Sequence, residues 1–328
     1  MISLLTAALL AAAPEGLVIA QQAPDAATAT IGFATERGVT KLATLSTAPD
    51  YTPRGSVSPD GKWAFAVTVL SPRTKTGELS AINLATGAVK KLASDVLGVE
   101  RPRATADGHT IFVRIAKTTE PKEKGQLSTT TTEIWSAAPN SKPKKLASVE
   151  AIGVNLAGIW NGQVLLYRVD ATGASIWRVP VTGGELAQVA QLVHGPFARD
   201  FNVAGDRLIY ATLIGPMTKT YGIEALELTT GQSKILIKDP SDHLAPLGAP
   251  QGIAFTIGTP KGDMLMLKDE PLIEGRAFAL AANHDGSELA VRQELPERQA
   301  LIVVHGTTPT ELPVIGHFEV FGFAEAAK

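Results

Sequence analysis

Five arginines, Arg54, Arg101, Arg103, Arg199 and Arg276, stand at equivalent places in this sequence, each close to the start of the first short strand of a repeating unit. A guanidinium group is permanently charged and presents its N–H donors in a fixed fork, so several gathered at one point would hold a carboxylate or a phosphate. Acids lie nearby in sequence, at Asp50, Glu100, Asp200 and Glu274. The competing reading is that each arginine pairs with such an acid and serves the fold alone. A second basic set falls in three longer, Thr-containing polar stretches: Arg73 and Lys75 in 71–77, Lys117, Lys122 and Lys124 in 117–132, and Lys219 in 215–221.

Other polar residues point to architecture. Asp60, Asp107 and Asp285 each precede a glycine, Gly61, Gly108 and Gly286. An aspartate there bonds its own turn through side chain and backbone, so these pairs are read as structural turns. The six histidines are scattered one or two per unit, without ligand spacing, and no metal or cofactor is read from them. No Gly-x-Ser-x-Gly elbow, phosphate-binding glycine loop, His-Glu-x-x-His or EF-hand loop occurs. No catalytic residue is therefore assigned.

The elements that must position these groups are visible as a repeat. Ser58-Pro59-Asp60-Gly61 turns the chain into Lys62-Trp63-Ala64-Phe65-Ala66-Val67, an apolar strand headed by a tryptophan that should be buried. Weaker copies lie at Ala106–Val113 and Asn283–Val291, and degraded ones at Asn161–Tyr167 and Gly205–Tyr210. Each unit's second half repeats as strand, Thr-Gly turn, strand, as in Ala81–Leu92, with relatives at Ile176–Gly184 and Ala225–Gly231. The pattern resembles the TolB-like family of WD-repeat-like β-propellers. That resemblance covers most of the chain after about residue 28 and implies an all-β fold of four-stranded blades, while saying little about function.

Full units are read at about 52–95, 99–149, 151–192, 196–240, 246–275 and 276–313, the fifth short and without its Asp-Gly turn. A half-unit precedes them and a single strand, Val314–Phe323, follows. A propeller closes by completing one blade from both chain ends, which removes open sheet edges. Seven blades with a composite closing blade are the reading, six the alternative.

The 328 residues include no cysteine, 45% are hydrophobic and the formal charge is −2, so disulfides and thiolate chemistry are excluded and nothing global points to nucleic acid. Residues 2–13 form an apolar run too short to span a bilayer, followed by small residues before Gln21. The expected organisation is a signal peptide over 1–20, an unstructured lead-in over 21–29 and the propeller over 30–328. The functional expectation is a periplasmic or secreted, monomeric, non-enzymatic binding module or scaffold for a protein or peptide, docked on the long basic loops. The alternative is a propeller hydrolase or lyase acting on a sugar or lactone in the central channel.

Overall fold

The computed structural model describes residues 15–121, 127–215, 217, 219–239 and 244–325. Seven antiparallel sheets of four strands form a closed seven-bladed β-propeller, in which each inner strand packs on the inner strands of both neighbouring blades. From the axis outward, blade 2 takes Arg54–Val57, Trp63–Val67, Thr76–Asn83 and Val89–Leu97; blade 3 takes Arg103–Ala104, Thr110–Thr119, Thr129–Ala137 and Lys144–Ala151. Blade 4 takes Gly153–Trp160, Gln163–Asp170, Gly173–Pro180 and Ala187–Leu192; blade 5 takes Arg199–Ala204, Arg207–Gly215, Thr220–Glu227 and Ser233–Asp239. Blade 6 is Leu247–Ala249, Gly252–Thr259, Gly262–Leu267 and Glu270–Glu274, so the short unit is a complete blade; blade 7 is Ala277–Ala282, Glu288–Glu294, Gln299–His305 and Thr308–Leu312. Blade 1 is composite, with the C-terminal strand His317–Ala324 innermost, then Gly16–Gln22, Thr28–Thr35 and Gly38–Ser46.

The core consists of layers between blades. Phe65, Leu79 and Phe112 fill the layer between blades 2 and 3, whereas Ala64, Ala66 and Ile82 meet Val18, Ile31 and Phe321 between blades 1 and 2. Because both faces of a blade are covered, its middle strands read as near-continuous apolar runs, while outer strands such as Val89–Leu97 are exposed at their turn-side start. Trp63 sits only half-buried at the margin of its layer; Phe65, two residues on, occupies the centre.

The structure moves the N-terminal boundary. Gly16–Gln22 is the second strand of blade 1, with Val18, Ile19 and Ala20 fully buried, paired to Phe33, Gly32 and Ile31 on one side and to the C-terminal strand on the other. A cut before Gln21 would sever a core strand, so the propeller includes residues from 16 on and not only those from 30, and the expected lead-in shrinks to the turn 23–27. A buried strand and the apolar core of a leader are both short apolar runs, so sequence pattern alone does not separate them. The run 2–13 lies outside the described residues. No helix of the described residues is long and apolar enough to cross a membrane.

Candidate functional site

The two ends of the ring are built differently. Inner-to-second and third-to-outer reversals emerge on one side, the turn face; second-to-third hairpins and blade-to-blade connections emerge on the other, the loop face. On the turn face, the Ser58 hydroxyl donates to the Asp60 carboxylate at 2.6 Å, which also accepts the Lys62 N–H at 3.1 Å. Asp107 accepts from the Thr105 hydroxyl and the His109 N–H, and Asp285 accepts the Ser287 N–H at 2.9 Å. These aspartates bond their own turns.

The loop face opens into a cavity of about 710 Å³ at the mouth of the channel, lined by Arg54, Arg101, Arg103, Arg199 and Arg276, all five of the arginines singled out in the sequence, and by a sixth, Arg292. Blade 2 supplies Arg54, blade 3 Arg103 with Arg101 just ahead of it, blade 5 Arg199, and blade 7 Arg292 with Arg276 just ahead of its inner strand. Some pair with acids, though not always those nearest in sequence. Arg101 reaches Glu319 of blade 1 at 3.3 Å, Arg199 its neighbour Asp200 at 3.4 Å, and Arg276 reaches Glu294 at 3.0 Å rather than Glu274. Arg54 Nη1 donates to the Val99 carbonyl and Arg103 Nη2 to the Leu156 carbonyl at 3.3 Å. Arg276 and Arg292 both lie against the Phe278 ring, at 5.7 and 5.5 Å from its centre.

Two carboxylates line the same cavity. Glu100 is clasped by Asn155 Nδ2 at 3.0 Å and the Leu156 N–H at 2.9 Å, yet burial outweighs these bonds and the nearby Arg103 and Arg54 and pushes its pKa up. Burial likewise raises Asp200, against the pull of Arg199 and Arg292. The cations are strained in the opposite sense. Burial lowers Arg101, with repulsion from Arg54 and Arg292 adding to it and Glu319 opposing; burial and then Arg101 bring Arg103 down to about 10. Asp200 and Ala245 hold left-handed backbone at φ 55° and 31°, both at the cavity wall. Such conformations cost of order 1–3 kcal/mol and concentrate where ligands bind.

Sequence reading missed Arg292, Glu319 and Glu294. Arg292 follows the apolar run Leu289–Val291 inside a second strand, so its only local signal is a charge where burial is expected; that it faces Arg101 follows from ring closure. The basic loops are dispersed. Arg73 and Lys75 are exposed on the blade 2 hairpin, whose Lys75 carbonyl accepts the Gly98 N–H at 2.8 Å and so ties that loop to the connection carrying Arg101. Lys219 is exposed on the blade 5 hairpin. Lys117 departs from expectation: it lies on strand Thr110–Thr119, paired with Thr131, because the blade 3 strands extend beyond the ring as a ladder. Lys122 and Lys124 lie outside the described residues.

The loop face also carries exposed apolar side chains: Leu70, Leu127, Val193, Phe197, Met217 and Ile315 stand on its hairpins and connections, Met217 being 96% and Val193 78% exposed. On the turn face, among the described residues, Val89 is the large apolar side chain so exposed.

No protein-family model matches this sequence, and no curated protein does. Solved structures do resemble it. TolB from Acinetobacter baumannii superposes with a TM-score of 0.54 at 14% identity, over 94% of this chain and 66% of that one. An acylaminoacyl peptidase from Pyrococcus horikoshii gives 0.61 at 16% identity, over 87% of this chain and 47% of that one. The β-propeller domain of the trilobed protease from Pyrococcus furiosus gives 0.62 at 14% identity, over 90% and 97%. This chain thus spans just under two thirds of that TolB and about half of the peptidase. At these identities the likeness establishes the fold alone, a β-propeller; its seven blades are counted in this chain's own sheets.

Proposed function

We propose that this chain is a secreted or periplasmic, non-enzymatic binding module that docks a protein or peptide partner on its loop face. The observation that carries the reading is the one-sidedness of the surface: exposed Val193, Phe197, Met217 and Ile315 share the face with Arg73, Lys75, Lys117, Lys219 and the arginine-lined mouth. Apolar anchors surrounded by cations suit a partner with apolar side chains and acidic groups, the first giving affinity and the second steering its approach. Resemblance to TolB adds weight to a protein partner and an envelope location.

The test is capture from envelope extract by the parent and by a Val193→Ser/Phe197→Ser/Met217→Ser variant, with melting measured on both. These side chains are exposed, so the melt should hold within about 0.5 kcal/mol, while capture falls sharply and weakens further with added salt. Capture at parental strength in the variant overturns the assignment. A second reading, a hydrolase or lyase, draws on Glu100 and Asp200, whose carboxyls burial lifts within the cavity, as it does in acid catalysts. It requires turnover of a sugar or lactone substrate that Glu100→Gln abolishes.

A further inference from the structure

We propose that the channel mouth is a binding site for a small organic polyanion, a molecule with two or more carboxylate or phosphate groups, held by Arg54, Arg101, Arg103 and Arg292. This goes beyond partner docking and rests on the inside of the cavity rather than on the loops around it.

The charge balance of the cavity carries the inference. Four carboxylates surround the six arginines, and each is already engaged. Glu319 takes Arg101, Asp200 takes Arg199, Glu294 takes Arg276, and the two oxygens of Glu100 take Asn155 and the Leu156 N–H. Arg54, Arg103 and Arg292 make no salt bridge among the described residues. They come from three different blades, 2, 3 and 7, and nothing in the local sequence of any one blade requires them to converge. Converge they do: Arg54 and Arg292 both lie near enough to Arg101 to repel it, and Arg101 repels Arg103 in turn. Arg103 and Arg292 also bury their Nε atoms without an acceptor. Glu100 lies near enough to attract Arg54 and Arg103, and Asp200 to attract Arg292, but neither carboxylate forms a salt bridge with them. Taking cations out of water with so little direct pairing is costly, and mutual repulsion in a sheltered cavity adds to the cost. An oxyanion seated among these groups would relieve both, through charge-assisted bonds to the guanidinium forks.

Size and walls agree with a small ligand. The cavity, about 710 Å³, lies in the usual range for small-molecule sites, roughly 300–1,000 Å³. Phe278 holds the Arg292 guanidinium against its face, which fixes the cation's direction before a ligand arrives. One charge would be satisfied by a pair of these arginines; four cations on the rim of one cavity match a ligand with at least two.

The experiment is thermal unfolding and titration calorimetry at fixed ionic strength with citrate, pyrophosphate and sodium chloride as probes, and a short Asp/Glu peptide as the fourth arm. Citrate, pyrophosphate or both should raise the melting temperature and give saturable heat, the stronger of the two telling carboxylate from phosphate chemistry. Arg54→Gln, an exposed position, should weaken binding about tenfold or more with an unchanged melt. Arg103→Met/Arg292→Met should lose the ligand-induced rise while melting, ligand-free, no lower than the parent, since it removes two crowded cations that make no salt bridge; a purely structural pair would melt lower. Equal stabilisation by chloride, undiminished binding in Arg54→Gln, or binding of the acidic peptide alone would each overturn the proposal.

Discussion

The turn face and the loop face are made by the same seven repeats, yet they solve different problems. Turn-face reversals are short, bond to themselves and lock onto their neighbours. Gly61 of blade 2 packs so closely on the Glu325 carbonyl that an added Cβ would lie 2.1 Å from it, and the His284 N–H of blade 7 donates to the Glu325 carboxylate at 2.6 Å. The residue after the closing strand is thus gripped from both sides. Loop-face segments instead leave apolar tips in water and, among the described residues, cations such as Arg54 and Arg103 without a salt bridge, features that lower stability and persist where a surface has something to bind. One face closes the ring; the other is free to vary.

The most severe way to break this division is to remove the closing strand. Deleting residues 317–328 takes the inner strand out of blade 1, exposes the edge of Gly16–Gln22 and frees the turns of blades 2 and 7 from Glu325. The protein should lose its single cooperative melt and aggregate. A deletion variant that still unfolds in one transition near the parental temperature would show that the closure is dispensable.

A smaller perturbation separates turn chemistry from docking. Gly61 and Gly108 both occupy left-handed backbone, at φ 65° and 79°, in equivalent turns, but the space beside Gly108 is open. Gly108→Ala should cost only the conformational penalty, about 1 kcal/mol. Gly61→Ala adds a backbone clash with the closing strand and should cost about 2–4 kcal/mol. Equal costs in denaturant titration would mean that the blade 2 turn does not grip the C-terminus.

The legibility of the two faces in sequence follows from the range of their interactions. Asp60-Gly61, Asp107-Gly108 and Asp285-Gly286 declare themselves because the bonds they make span two residues, and the three units they open are blades 2, 3 and 7. The arginines could be grouped by repeat position, so their convergence was expressible as one of two readings. Which acid each would meet was not, since Arg101 and Glu319 are joined across the ring closure, 218 residues apart. Gly16–Gln22 was hidden for another reason: once both neighbours cover a strand, it loses the alternation that marks one, and next to the apolar run 2–13 it looks like part of that run.

The smallest expected effect is a pH dependence confined to the turn face. Partial burial pushes the Asp60 carboxyl up, but the Ser58 hydroxyl, the Lys62 N–H and the Lys62 ammonium together hold it below its ordinary value. Asp107 is also held down, first by the Thr105 hydroxyl and then by His109, against slight burial. A carboxylate whose folded value lies below its unfolded one contributes stability that is fully present above the unfolded pKa, near 3.9, and is lost as pH falls through the folded value. Asp60→Asn/Asp107→Asn should therefore melt slightly below the parent at pH 7, with the gap closing on acidification below about pH 4. Both groups meet solvent, Asp107 with 58% of its side chain exposed, so screening keeps the difference under about 1 kcal/mol. The same change should leave capture by the loop face untouched, because neither turn reaches that side of the ring. If the gap between variant and parent widened in acid, the turn aspartates would be doing something other than bonding their own backbone, and the separation of a structural face from a binding face would fail at the place where it is most clearly drawn.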